Sequence, residues 1–388
     1  MSASAPSASR RRRVVSALGA LLVVLFAAGC VSGPDAAPVW QPGSGGGATG
    51  SPEPSTPKPS TPAAAAGETI SLSATGDIIM GNAPSRLPAG GGEGFFDSVK
   101  EALKADLVMG NLEEPLTEDT GTGKCGATST RCFQFRAPPE YAAHLRDAGF
   151  QVLNQANNHG YDYGPRGYEN TQRALQEHGL KPTGAPDQIT VVDVKGVKVA
   201  VAGFSSYVWS NSLIDIDAAK AVVAKAATMA DLVVVQVHMG GEGADKTRVR
   251  PGTEMFLGEN RGDPVTFSHA MIDAGADLIV GHGPHVLRGM EFYQGRLIAY
   301  SLGNFAGGGN ALSNSGRLGW GGVLKVSLKP DGSFAGGTLT STYMNGAGKP
   351  TMDRDDRGLG LVTQLTSTDF PKTGATRRDG AISAPGAN

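Results

Sequence analysis

His282 and His285 bracket Gly283-Pro284 at the end of the apolar run Leu278-Ile279-Val280. The run reads as a short buried strand, and Gly281 lets the backbone turn where the strand ends. Both histidines then sit on a loop leaving a sheet, where α/β proteins commonly place their chemistry. Two imidazoles offered by one loop suit a divalent metal, each supplying a nitrogen at about 2.0–2.1 Å in the case of zinc.

The same placement recurs along the chain. Asp77 follows a first strand from Thr69 to Ala74, and Glu113 follows Leu107 to Met109. Asn158 and His159 follow Gln151 to Gln155, and His238 ends the β-branched run Leu232 to Val237. Of the seven histidines, His144, His178 and His269 fall in predicted helices and are set aside. Singly, each strand-end residue has a bland reading. An Asp after a strand is usually a turn former or helix cap, an Asn tolerates left-handed turns, and a lone His is often a satisfied core residue. Together they form a mixed nitrogen and oxygen donor set suited to one or two ions of Mn, Zn, Fe or Mg rather than to thiolate-bound metals. Two such ions commonly sit about 3.5–4 Å apart and promote phosphoester cleavage, with a histidine that binds no metal serving as the acid for the leaving oxygen.

The elements that must position these groups alternate. Helices are predicted over Phe95 to Ala105, Pro139 to Ala148, Gly167 to His178, Asp217 to Ala230 and Pro264 to Ala274. Further strands are predicted over Phe133 to Arg136, Ile189 to Val194, Val197 to Phe204, Arg296 to Tyr300, Gly322 to Leu328 and Thr338 to Tyr343. This pattern indicates one α/β domain over residues 68–345, without internal repeats. Residues 346–388 are polar and Gly-rich and read as a C-terminal tail that is loose at its end.

The N-terminus differs in kind. Arg10 to Arg13 precede an apolar run from Val14 to Ala28, too short for a comfortable membrane span, so residues 1–29 read as a secretory signal. Ala27-Ala28-Gly29-Cys30 resembles a bacterial lipobox, in which Cys30 becomes a lipidated N-terminus and anchors an exported protein to the cell membrane. An ordinary signal peptide is the alternative, and the export route stays open. Residues 30–67 are dominated by Gly, Ser, Pro, Thr and Ala and cannot bury enough surface to offset their ordering entropy, so a disordered tether is expected. Removing the signal would remove Arg10 to Arg13 and no acid, making the remainder more acidic than the −2 of the whole chain. That argues against nucleic acid as a partner, since a phosphate-backbone binder needs a concentrated basic surface. Of the three cysteines, Cys125 and Cys132 remain, in a Gly/Ser/Thr-rich loop. A local disulfide, worth roughly 2.5 kcal/mol by loop entropy, is the expectation, and a metal pair the alternative.

The motifs, taken together, resemble a known family. Gly76-Asp77 with Gly81, Asn111-Leu112-Glu113, and Asn157-Asn158-His159 followed by Asp162 and Gly164 are similar to motifs of the CapA family, the poly-γ-glutamate capsule synthesis proteins. So are His238-Met239-Gly240 with Glu242, Gly281-His282-Gly283-Pro284-His285, and Tyr300-Ser301-Leu302-Gly303-Asn304-Phe305. That family is similar to the calcineurin-like metallophosphoesterases, which implies a four-layer α/β/β/α sandwich with two mixed sheets. The resemblance implies Asp77, Glu113, Asn158, His238, His282 and His285 as metal ligands and His159 as proton donor. Asp162, Glu242, Glu291, Ser301 and Asn304 are expected as polar groups behind them. Three positions depart from the phosphoesterase pattern: Ile79 stands where a histidine is usual, Glu113 replaces the bridging Asp, and Pro284 adds a residue between the last two histidines. One metal position is therefore expected to be weaker, absent or differently ligated. The function implied is a surface-anchored metal-dependent hydrolase acting in synthesis, release or attachment of an extracellular anionic polymer, with a phosphoester or that polymer as substrate and capsule synthase components as partners. The competing expectation is a lipoprotein of the same fold that binds the polymer or scaffolds the synthesis complex without catalysis.

Overall fold

The apolar runs that read as strands are buried on both faces. In Leu232–His238, Leu232 and Val234 point one way while Val233, Val235 and Val237 point the other, into separate hydrophobic clusters. Leu107–Leu112 splits likewise, with Leu107 and Met109 on one face and Val108 and Leu112 on the other. Alternation with a period of two, apolar on both sides, needs a layer above and a layer below each sheet. The computed structural model describes residues 69–126, 132–378 and 380–386. The expected signal segment, Cys30 and the tether lie outside the described residues. Among those described, no helix is long and apolar enough to cross a membrane.

Two mixed sheets face each other. One has ten strands and is centred on Ile70–Ile79, which pairs in parallel with Leu107–Leu112 and antiparallel with Trp320–Leu328. The other has seven strands, with Leu278–His282 parallel to Leu232–His238 and to Arg296–Ala299, and Met290–Tyr293 antiparallel at one edge. Residues from both sheets, among them Leu72, Leu107, Val234 and Val280, make the core between them. Helices Ala142–Ala148 and Gly164–Glu177 cover the outer face of the first sheet, and Ile216–Met229 and Pro264–Asp273 that of the second. The layers are those of the expected α/β/β/α sandwich.

Three sequence expectations fail. Phe95 to Ala105 is not one helix: Phe95 and Phe96 turn inward to an aromatic cluster with Phe150 and Phe305, leaving short turns at Asp97–Val99 and Lys100–Leu103. Phe133 to Arg136 is irregular rather than a strand, because the backbone N–H of Phe135 donates to Asp162 instead of to a neighbouring strand. The described residues beyond 346 are more than a polar tail. They include the strand Pro350–Met352 and the helix Arg357–Asp369, whose Leu359, Leu361, Val362 and Leu365 are buried in the core between the sheets, joined by Ile382. Interspersed glycines and threonines hid that apolar face.

Candidate metal centre

Strand register places the polar groups in rows. In the first sheet Asn304, Asp77, Asn111 and Asn154 are consecutive partners across four strands, and in the second His282 sits directly beside His238. Two rows at the same ends of facing sheets define one site. Close backbone approach requires glycine at its base, since a Cβ on Gly76 would lie 1.8 Å from the Gly303 carbonyl oxygen. The loop after Leu278–His282 then bends through Gly283 (φ 108°) and His285 (φ 58°). A left-handed histidine is costly for an L-residue, and such conformations cluster at functional sites.

Asp77 is fully buried and sits at the centre. Its Oδ1 accepts from Asn111 Nδ2 at 2.9 Å, its Oδ2 lies 3.1 Å from His285 Nδ1, and His282 Nδ1 lies 3.8 Å from Oδ1. Asn154 and Asn157 both donate to Asn111 Oδ1, which fixes the amide that holds Asp77. Asn304 Oδ1 shares His285 Nδ1 at 2.9 Å. On the far side of the ring, His285 Nε2 lies 3.7 Å from both Glu113 Oε1 and Glu242 Oε2. Glu113 Oε1 meets His238 Nε2 at 3.0 Å, and Glu242 Oε1 accepts from Asn158 Nδ2 at 3.2 Å. One oxygen or nitrogen from each of Asp77, Glu113 and His285 falls within a 4.8 Å cluster.

Charge is distributed unevenly. Burial would push the Asp77 carboxyl up, but the hydrogen bond from His285 and the nearby His285, His282 and His238 hold it below the usual range. Burial and the Asp77 charge push Glu113 well up. His285 is driven up because Glu113, Asp77 and Glu242 outweigh its burial, while burial takes His282 down to about 4 and, with Arg261, lowers His238. His238 and His282 therefore stay neutral, the form that donates a lone pair.

Four buried side-chain atoms of the candidate donors have no hydrogen-bond partner: Glu113 Oε2, Asn158 Oδ1, His238 Nδ1 and His282 Nδ1. Leaving such atoms unpaired costs about 1–3 kcal/mol each. Two carboxylates, an amide oxygen and three imidazoles, two of them neutral with a vacant lone pair, are the donors a divalent cation of the Zn, Mn, Fe or Mg type takes, so the residues fit the group. His282 Nε2 faces Gln236 Oε1 at 3.3 Å, which leaves its Nδ1 as the acceptor nitrogen.

Beside this cluster a cavity of about 390 Å³ is lined by Asn158, His159, Glu242, Lys124 and Arg261. His159 Nδ1 is 2.7 Å from Asp162 Oδ2, whose other oxygen accepts from Lys124 at 2.8 Å. Burial lowers the His159 pKa despite the Asp162 charge. Arg261 bonds Glu242 at 2.9 Å and packs between Tyr207 and Phe256. Cys125 and Cys132 are joined by a disulfide next to Lys124.

The structure thus brings together Asp77, Glu113, Asn158, His238, His282 and His285, with His159, Asp162, Glu242 and Asn304 around them. It does not bring Glu291 or Ser301 to the site. Glu291 accepts from His269, Tyr300 and Thr373 on the outer side of the second sheet, and Ser301 Oγ accepts from the Gly303 N–H in a turn. Asn111, Asn154, Gln236, Lys124 and Arg261 were missed as site residues, although Asn111 stands within a quoted motif. Ile79 is fully buried and brings no donor.

Residues 71–308 match the model of the family described as bacterial capsule synthesis protein PGA_cap. The chain belongs to this family. It is 34% identical over 261 residues to the capsule biosynthesis protein CapA of Bacillus anthracis, covering 61% of this chain and 60% of the relative. It is 32% identical over 257 residues to the PGA biosynthesis protein CapA of Bacillus subtilis (strain 168), covering 61% and 63% respectively. The matches therefore span about three-fifths of the length of these relatives. Among solved structures, a 5'-nucleotidase precursor from Thermus thermophilus is similar with a TM-score of 0.39 at 15% identity, over 79% of this chain and 60% of that one. The PGA_cap match ends at residue 308, before the C-terminal strands and helix that complete the core.

Proposed function

We propose that this protein is a metal-dependent hydrolase of phosphoester type, exported and held at the membrane, that acts in the synthesis, release or attachment of an extracellular anionic polymer such as poly-γ-glutamate. The observation that carries the metal-dependent part is the set of four unpartnered buried atoms around Asp77, Glu113 and His285. The polymer comes from the names of the family and of its relatives. A bound divalent ion would supply Lewis-acid polarisation of the scissile group. The residues of the chain do the rest. Asp77, Glu113, Asn158, His238, His282 and His285 hold the ion, and Gln236, Asn111 and Asn304 orient three of them. His159 faces the adjoining cavity with its Nδ1 held by Asp162, which leaves Nε2 to pass a proton to the leaving oxygen. The test is bound metal in the purified chain, followed by turnover of a generic phosphodiester with and without Mn. Metal-stimulated turnover that His282→Ala abolishes supports the proposal, and metal-free protein or an unaffected variant sinks it.

Ile79 favours a second reading. A buried isoleucine where a donor is usual leaves one cation position poorer, which suits a protein that binds polymer or scaffolds synthesis without turnover. Stoichiometric metal with no turnover of any phosphodiester would select it.

A further inference from the structure

Six large apolar side chains are exposed among the described residues, and they are unevenly placed. Phe133 (67% exposed) and Leu257 (84%) line the cavity that holds His159. Val208 (92%) lies between Tyr207 and Trp209, which line the same cavity, and Met255 (54%) is on the hairpin that also carries Leu257. Ile214 adjoins Gly262, next to Arg261. Met229 alone belongs to the opposite end of the second sheet, at the C-terminus of its helix and just before the strand that runs up to His238. Exposed apolar residues scattered singly need no explanation, but several gathered at one mouth do.

The charges lining the His159 cavity balance, Lys124 and Arg261 against Glu242 and Glu259. Met255 lines a neighbouring cavity of about 420 Å³ in which Lys246, Arg248, Arg250 and Arg288 outnumber Asp245 and Glu254. Lys246 pairs with Asp245 and Arg248 with Asp369, whereas Arg250 is exposed and has no ion pair among the described residues. The apolar side chains project from three separate segments: the stretch after the disulfide, the loop around Val208 and the 255–260 hairpin. Side chains standing on separate tips, flanked by an unpaired arginine, match an anionic bilayer interface better than the broad packed patch of a protein partner. A lipid on Cys30, expected from the sequence, would supply that bilayer.

We infer that Phe133, Val208, Met255 and Leu257 form a membrane-docking rim around the mouth of the candidate metal centre, with Arg250 meeting anionic lipid headgroups. The rim turns the His159 cavity toward the headgroup layer, so a substrate would be met at the membrane surface.

The test uses the full chain carrying Cys30→Ser, with the Cys125–Cys132 disulfide oxidised, so that one introduced cysteine carries a solvatochromic dye. Leu257→Cys reports the rim and Met229→Cys the opposite end. On vesicles of phosphatidylcholine with phosphatidylglycerol, the dye at position 257 shifts to the blue and is quenched by spin-labelled lipid, while the dye at 229 does neither. Arg250→Ala weakens this contact about fivefold, the ratio that corresponds to about 1 kcal/mol per basic residue near an anionic surface, without changing the melting temperature. No shift at 257 overturns the inference, and so do equal shifts at 257 and 229, which would report tethering by the N-terminus alone. A shift that needs no vesicles and grows with protein concentration would assign the rim to a second copy instead.

Discussion

His159 Nδ1 and Asp162 Oδ2 meet at 2.7 Å inside a loop whose other contacts hold the carboxylate still: Phe135 N and Lys124 Nζ both donate to Asp162 at 2.8 Å. That leaves His159 with one free ring nitrogen and a fixed orientation. If it is the proton donor, His159→Ala lowers phosphodiester turnover by roughly 10²–10⁴-fold while bound metal stays at the wild-type level. Asp162→Asn lowers turnover by less, because the ring remains but its orientation loosens. Elemental analysis alongside steady-state kinetics checks this, and metal loss in step with turnover would make His159 a ligand.

Metal should also be visible as stability. A ligand present at about 100 times its Kd adds roughly 2.7 kcal/mol to the folded state. Saturating Mn is therefore expected to raise the melting temperature by several degrees over the chelated protein. His282→Ala, which removes one of the four unpartnered atoms, should cancel most of that increment while leaving the chelated protein close to its starting stability. Scanning fluorimetry with and without chelator measures both, and an increment that survives in the variant removes His282 from the donor set.

What the sequence disclosed, and what it concealed, follows one physical rule. Residues at the ends of apolar runs were legible because strand ends mark sheet edges, and Asp77, Glu113, His238 and His282 all lie there. Partners set by register between distant strands were not. Nothing local announces that Asn154 lies beside Asn111 or that Arg261 reaches Glu242. Nearness in sequence misled for Glu291, which shares the stretch of His282 and His285 but projects from Met290–Tyr293 to the outer face, against Tyr300 and His269. The C-terminal helix was concealed because Gly358 and Gly360 interrupt its apolar residues and lower its intrinsic propensity.

That helix yields a stability prediction. Leu365 is buried in the core between the sheets along with Leu359, Leu361 and Val362. Leu365→Ala should cost about 2–5 kcal/mol, and a chain ending at residue 345 should fail to give a cooperative unfolding transition. Urea titration followed by circular dichroism checks both. A truncated chain with an unchanged midpoint would return this segment to the status of a loose tail.

Glu114 supplies a pH signature independent of catalysis. It is fully buried beside the site, with Oε1 accepting from Met80 N and Oε2 unpartnered. Burial pushes its carboxyl up to about 8 from an ordinary 4.5, against the smaller lowering effect of the Met80 and Gly81 amides. The folded state thus holds this proton more tightly than the unfolded chain does. Its contribution to stability is fully present below about pH 4.5 and is lost as the pH rises through about 8, a change on the order of 5 kcal/mol. Glu114→Gln keeps an acceptor for Met80 N and cannot ionise, so the variant should lose much less stability between pH 5 and pH 8 than the wild type. Urea midpoints at the two pH values in chelator decide it: equal slopes for the two proteins would mean that Glu114 ionises in the folded state as it does in water.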